Sequence, residues 1–285
     1  MSDAKIMTAG SALRQRVVTA FILGPLVMGA VLWLPASAFA VFMALVVLIG
    51  AWEWAGLSGL SARVAQVAYV ILVAVGLASL WFLPPWWRTW LVAAGVAWWV
   101  IQTVALVRIQ HIEPRTGLDG AGAATGLLVL CVSWTALITL RDTGPAGPAL
   151  VLFLLLLIWF ADSAAYFAGR RWGRSKLAPG LSPGKTLEGV YGALAVAGIG
   201  GVLLGAVLAP RVGGILLAVA VCAVTVVMSV VGDLYESLLK RRRGVKDSGQ
   251  LLPGHGGFLD RIDSLTAAAP LFMLGIKLFL PVVHT

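Results

Sequence analysis

The chain has 285 residues, of which 60% are hydrophobic and only 12% charged, and its mean hydropathy of +0.96 excludes a soluble domain of ordinary composition. A formal net charge of +9 would suit nucleic acid, but the cations sit in short segments between apolar runs. Lipid headgroups and phosphorylated ligands are therefore the expected partners, and nucleic acid is not.

The first apolar run comes after a fairly polar segment with no small-residue cleavage site, so it reads as a retained span. Runs long enough to cross about 30 Å of hydrocarbon fall near residues 17–34, 37–56, 64–83, 90–107, 119–140, 149–169, 187–208, 212–231 and 265–283. They predict an all-α fold, a polytopic transmembrane helical bundle of about nine spans. The connections "LPAS" and "PPWWR" carry proline and read as helix breaks at an interface, with Trp81, Trp86, Trp87 and Trp90 forming part of an aromatic belt. Cys131 and Cys222 lie inside apolar runs and read as small core hydrophobes, not as a disulfide or a metal site.

Of the 21 Lys and Arg residues, only Arg88, Arg141 and Arg211 fall on one side of the predicted bundle, and Lys277 lies within the last span. The rest fall on the other side, which makes the N-terminus cytoplasmic and, with nine spans, the C-terminus external. The first five spans, within residues 1–148, carry few charges, whereas residues 149–285 carry nearly all the chemistry. This is a division of labour within one membrane domain. Glu53 in "AWEWAGLSG", near the inner end of the second span, reads as a structural group that snorkels or pairs with a cation.

The sixth span contains "WFADSAAYFAGRRWGRSK". At 1.5 Å per residue Asp162 lies about 20 Å deep, roughly 10 Å short of the cytoplasmic boundary. An ionisable group at that depth is costly and is a functional candidate by default, with a helix-packing contact as the plainer alternative. In "GRRWGRSKLAPGLSPGKTLEG" the "GKT" tempts a P-loop reading, which fails because Pro179 stands where a glycine is needed and no preceding strand is expected. Ser182, Lys185 and Thr186 remain candidate phosphate contacts in another geometry.

The eighth span ends in "SVVGDLYESLLKRRR". If the helix continues, Asp233 and Ser237 share a face with Lys240 and Arg241 one turn further on, and Glu236 points elsewhere. A carboxylate, a hydroxyl and a cation stacked in this way can hold a metal ion and a phosphate chain together. The plainer reading of Lys240 to Arg243 is a topogenic stop and headgroup anchor. The next segment, "VKDSGQLLPGHGGFLDRID", outweighs it. Gly249, Gly254, Gly256 and Gly257 let the backbone approach a ligand closely, and Asp260 and Asp263 share a face at the start of the last helix.

The stretch "SLLKRRRGVKDSGQLLPGHGGFLDRID", with its serine, Lys-Arg pair, Lys-Asp pair, His-Gly-Gly and Asp-Arg-x-Asp, resembles the signature of the phosphatidate cytidylyltransferases, the CDP-diacylglycerol synthases. The segments "ADSAAYFAGRRWG" and "LSPGKTLEG" resemble the family's secondary motifs, with Gly184 where a basic residue is common. The resemblance is close over the C-terminal half; the first five spans match only in hydropathy and in "WEW". It implies transfer of a cytidylyl group from CTP to phosphatidate, giving CDP-diacylglycerol and pyrophosphate, with Mg2+ as cofactor and Asp233 and Asp260 as its ligands. Lys240, Lys246 and His255 join these two aspartates as catalytic candidates. Asp162, Ser182, Lys185, Thr186, Ser237, Arg241, Asp247, Arg261 and Asp263 are candidates for binding substrate. The implied setting is the inner (plasma) membrane with the site on its cytoplasmic side, because phosphatidate keeps its acyl chains in the bilayer while CTP is a soluble anion. A homodimer is a family-level expectation.

Three rival functions remain. A CTP-dependent lipid kinase would give a phospholipid and CDP, and the His-Gly-Gly signature argues against it. A transporter or anion-binding membrane protein would move a solute without changing CTP. A CDP-alcohol phosphotransferase would need an Asp-Gly-x-x-Ala-Arg segment that the chain lacks. The synthase reading requires spans six, eight and nine to converge, so that Asp162, Asp233 and Asp260 share one site.

Overall fold

The computed structural model describes residues 21–109, 111–251 and 256–283, with side chains in the last helix described through Lys277. Apolar runs that meet lipid must satisfy their backbone N–H and C=O groups internally, which an α-helix does. The runs are α1 (described over Phe21–Trp33), α2 (Ala36–Leu57), α3 (Arg63–Trp81), α4 (Pro85–Val107), α5 (Gly120–Arg141), α6 (Gly147–Trp172), α7 (Leu187–Leu208), α8 (Val212–Arg242) and α9 (Asp263–Val283). The fold is all-α in class, and seven of the helices described are long and apolar enough to cross a membrane.

The structure departs from the sequence reading in three places. Helix α4 begins at Pro85, not near 90, because a proline at the first helical position loses no intrahelical bond. Trp86, Trp87 and Trp90 are therefore exposed on its first turns, while Trp81 packs against Trp134. Helix α8 continues eleven residues beyond the predicted apolar run, to Arg242, the continuation that the shared face of Asp233 and Ser237 required. Cations in a last turn meet the negative end of the helix dipole, so the charged run prolongs the helix instead of stopping it.

The third departure is a two-stranded antiparallel ribbon, β1 (Lys176–Ala178) and β2 (Ser182–Thr186), between α6 and α7. The "GKT" residues sit in β2 itself, so a strand does precede α7, but it contains the motif instead of leading into it. Lys176 Nζ donates to Pro183 O at 2.8 Å and ties the two strands together.

Helix α5 is the most enclosed of those seven helices and packs against α2, α3, α4 and α9. Its N-terminus is capped by Asp119, which accepts from Gly122 N at 3.0 Å. Helices α6, α7, α8 and α9 pack in sequence along their lengths. At Gly232 a Cβ would press into Asp263 O at 2.5 Å. The missing side chain thus lets the start of α9 approach α8 beside Asp233. Cys131 and Cys222 are both buried and free, as expected of core hydrophobes.

Candidate active site

The site is built on α8. Residues three and four apart on a helix are neighbours, and two such pairs lie side by side here. Ser237 Oγ donates to Asp233 Oδ1 at 3.4 Å, and Lys240 Nζ donates to Glu236 Oε2 at 2.8 Å. Glu236 therefore does not point away from the site, as the sequence suggested. At three residues from Asp233 and four from Lys240, it lies between them.

Beyond α8 the chain reverses at Gly244, where φ is +68°, a left-handed turn that glycine adopts at little cost. The return brings in a short 3-10 turn, Leu259–Arg261, just before α9. Lys240 Nζ donates to Asp260 Oδ1 at 2.6 Å, while Asp260 Oδ2 accepts from Gly257 N at 2.9 Å and from Ser248 N at 3.2 Å. Burial alone raises the Asp260 carboxyl. The Lys240 ammonium and the two backbone N–H donors outweigh burial and hold it below the usual carboxylate value.

The ribbon brings the third element. Lys185 on β2 pairs with Asp233 Oδ2 at 2.7 Å, and Arg241 Nε donates to Leu181 O at 3.3 Å, fixing the ribbon to the end of α8. Asp162 of α6 lies within electrostatic reach of both Lys185 and Asp233. Asp263 lies within reach of Asp233 and beside the carboxyl of Glu236. Asp162 of α6, Asp233 of α8 and Asp260 of the turn before α9 are thus linked into one acidic cluster through Lys185, Asp263, Glu236 and Lys240.

The remaining candidates are more scattered. Lys246, Asp247 and Arg261 are exposed, and Ser182 pairs within the ribbon. Thr186 is buried, and its hydroxyl accepts from Gly189 N at 3.1 Å, capping α7. Arg241 also donates to Val245 O at 2.9 Å. His255 and Gly254 lie outside the described residues.

A hard cation is bound by carboxylate oxygens, and Mg2+ commonly takes one or two carboxylates together with substrate phosphate. Among the described residues no three acidic, histidine or cysteine groups already converge on a single ion position; Lys185 and Lys240 pair with Asp233 and Asp260 instead. The electrostatics nonetheless fit a cation. Lys185 and Lys240 pair with Asp233, Glu236 and Asp260, Asp162 lies within reach of Lys185, and Asp263 lies within reach of Asp233 and Glu236. Among the described residues Glu236 Oε1 is buried without a hydrogen-bond donor, and carboxyl groups so placed repel unless a proton or a cation lies between them.

Sequence reasoning ranked three participants too low. Glu53 of α2 accepts from Ser248 Oγ, Phe258 N and Leu259 N. Arg243 donates to Leu57 O, Arg115 O and Gly117 O, so the last cation of the run is an internal clamp, not a headgroup anchor. Glu236 is the third. The signals for Glu53 were an acid at the end of an apolar run and its place in "WEW".

Comparison with known proteins gives the site its context. A model of the Cytidylyltransferase family matches residues 14–279. Over 260 residues the chain is 42% identical to a phosphatidate cytidylyltransferase of Pseudomonas aeruginosa, covering 91% of this chain and 95% of the relative. It is 35% identical to a protein of the same name from Haemophilus influenzae, covering 91% and 97%, and 36% identical to one from Brucella suis, covering 93% of each. With matches that run nearly end to end and include every element of the acidic cluster, the chain belongs to the cytidylyltransferase family.

Proposed function

We propose that this protein is a phosphatidate cytidylyltransferase, making CDP-diacylglycerol and pyrophosphate from CTP and phosphatidate for phospholipid synthesis. The observation that carries the reading, beside family membership, is the convergence of Asp162, Asp233 and Asp260 with Lys185 and Lys240 where α6, α8, α9 and the ribbon meet.

In the reaction a phosphatidate phosphate oxygen attacks the α-phosphorus of CTP in line with the bond to the β-phosphate. The new P–O bond forms as the old one breaks, and its electron pair leaves with pyrophosphate. The nucleophile is ionised near neutral pH, so no strong general base is required. The obstacle is repulsion between two anions, which cations at the site reduce by holding them in line.

Asp233 and Asp260 are the residues that would hold Mg2+, which when bound neutralises charge on the transferring and leaving phosphates. Lys185 is 25% exposed and its partner Asp233 31%, so this pair faces the ligand side. Lys240 is 10% exposed and shared by two acids, so it orients Asp260. Arg241, Lys246 and Arg261 are the cations that receive phosphate groups. Ser182, Ser237, Asp247 and Asp263 line or support the same region, and His255 belongs to the same signature.

The setting goes with the chemistry. The chain crosses a bacterial inner membrane nine times as one integrated domain, with its N-terminus and active site on the cytoplasmic side. Its exposed apolar faces meet lipid or a second copy of the chain. The cation asymmetry between the two sides supports this orientation. Incubation of the purified protein with CTP labelled in its cytosine and with phosphatidate tests the reading. Label in CDP-lipid with release of pyrophosphate is expected; a phosphorylated lipid with free CDP would mark a kinase instead.

A further inference from the structure

Glu53 lies on α2, about two hundred positions from the signature loop it touches, and is 4% exposed. A buried carboxylate is costly unless its oxygens are filled by donors. Here Oε1 accepts from Phe258 N at 2.9 Å, and Oε2 accepts from Leu259 N and Ser248 Oγ, each at 2.7 Å. Phe258 and Leu259 open the 3-10 turn that carries Asp260, so their N–H groups are among those a turn leaves unpaired. Glu53 caps that turn from a different helix.

Ser248 ties this anchor to Asp260. Its hydroxyl donates to Glu53, while its N–H donates to Asp260 Oδ2 at 3.2 Å. The same contact accounts for two glycines of the signature. A Cβ at Gly249 would overlap Glu53 Oε1, and one at Gly257 would overlap Ser248 Oγ and lie 2.7 Å from Glu53 Oε2. At these two positions the backbone closely approaches a side chain of the protein itself.

We propose that Glu53 is a positioning residue for catalysis: its carboxylate fixes both the outgoing and returning strands of the signature loop, and so sets where Asp260 points. The proposal rests on the cytidylyltransferase reading. It assigns the N-terminal half a part in the site, although nearly all the charge lies in the C-terminal half. Glu53→Gln has one acceptor oxygen where the loop presents three donors, and its amide N–H₂ faces a backbone N–H. Ser248→Ala removes a single donor and leaves the rest in place.

The test combines kinetics with hydrogen exchange on the full chain in detergent. Glu53→Gln is expected to lower kcat by about 10- to 100-fold with the KM for CTP within about threefold, since misaimed supporting groups cost rate more than affinity. Ser248→Ala is expected to give a smaller loss in the same sense. Amide exchange at Gly257, Phe258 and Leu259 should rise in both variants while exchange in the other helices stays unchanged and the thermal midpoint falls by at most a few degrees. Unchanged kcat in both variants overturns the proposal. So does loss of activity only in step with a lowered midpoint and faster exchange across α2 and α5, which marks a general scaffold role. If the unmodified protein makes no CDP-lipid, the functional reading fails by itself. The exchange data then still decide the anchor: a rise confined to residues 257–259 supports it, and no rise overturns it. Should Glu53→Gln fail to fold, Ser248→Ala alone decides by the same two readouts.

Discussion

Lys240 was legible in the sequence as a cation near the membrane boundary, and the structure gives it a more specific task. Its ammonium lies between Glu236 Oε2 at 2.8 Å and Asp260 Oδ1 at 2.6 Å, in a site that leaves it 10% exposed. Removing one member of a buried ionic group leaves the others uncompensated, which costs about 3–5 kcal/mol. Lys240→Met should therefore lower stability by that amount in thermal unfolding. Lys246→Met, at an exposed position, should stay within about 0.5 kcal/mol while raising the KM for CTP. Helical spacing alone could not assign Lys240 its partners, because residues 233, 236, 237 and 240 all lie within neighbouring turns of one helix. Which acid takes Lys240 is decided by Asp260, twenty residues further along and brought back by a loop. Glu53 escaped for the same reason, since its partners are at positions 248, 258 and 259.

At the scale of elements, hydropathy located the helices well, because a bilayer-facing backbone has few alternatives to the helix. It did worse where charge and turn chemistry decide. The charged end of α8 is helical through Arg242, and it is held there by Arg243, which donates to three carbonyls, one at the end of α2 and two on the α4–α5 connection. Arg243→Ala should cost about 1–3 kcal/mol through those unpaired carbonyls, against almost nothing for Arg108→Ala on the exposed surface in the same unfolding assay. The α4–α5 connection carries a second support in Asp119, which caps α5 and pairs with Arg115 at 2.6 Å. Burial raises its carboxyl, but the Gly122 N–H and the Arg115 guanidinium outweigh that and bring it below the ordinary value. A group depressed on folding contributes stability above its unfolded pKa, about 3.9 for an aspartate, and loses it as pH falls through the folded value. The cost of Asp119→Ala should accordingly be about 1–2 kcal/mol at neutral pH and shrink in unfolding measured below about pH 4. The β1–β2 ribbon had only a weak signal, a Pro-Gly turn between very short polar strands. Its register depends on Lys176 and on contact with α8, neither visible locally.

For the molecule as a whole, the acidic cluster required α6, α8 and α9 to meet, and they do, with the ribbon supplying Lys185. The sequence carried this expectation because acids at the ends of three apolar runs, all on the cation-rich side, have one affordable arrangement in a bilayer: together, with cations between them. What it could not carry was the role of the first five spans, whose links to the site include Glu53 and the carbonyls that receive Arg243. Nine spans with a cytoplasmic N-terminus predict that a cysteine placed at Lys246 is labelled only from the cytoplasmic side of oriented vesicles, and one at Arg211 only from the other. Labelling of both from one side would contradict the topology. The central claim is that Asp233 and Asp260 hold the metal that couples CTP to phosphatidate. Its most direct measurement is turnover of labelled CTP with phosphatidate by purified protein, with magnesium and after its removal by chelation, beside Asp233→Asn and Asp260→Asn. The account predicts CDP-diacylglycerol and pyrophosphate only with magnesium, and a loss of at least about a hundredfold in either variant despite intact folding. Full turnover in chelator, or in either folded variant, would contradict it.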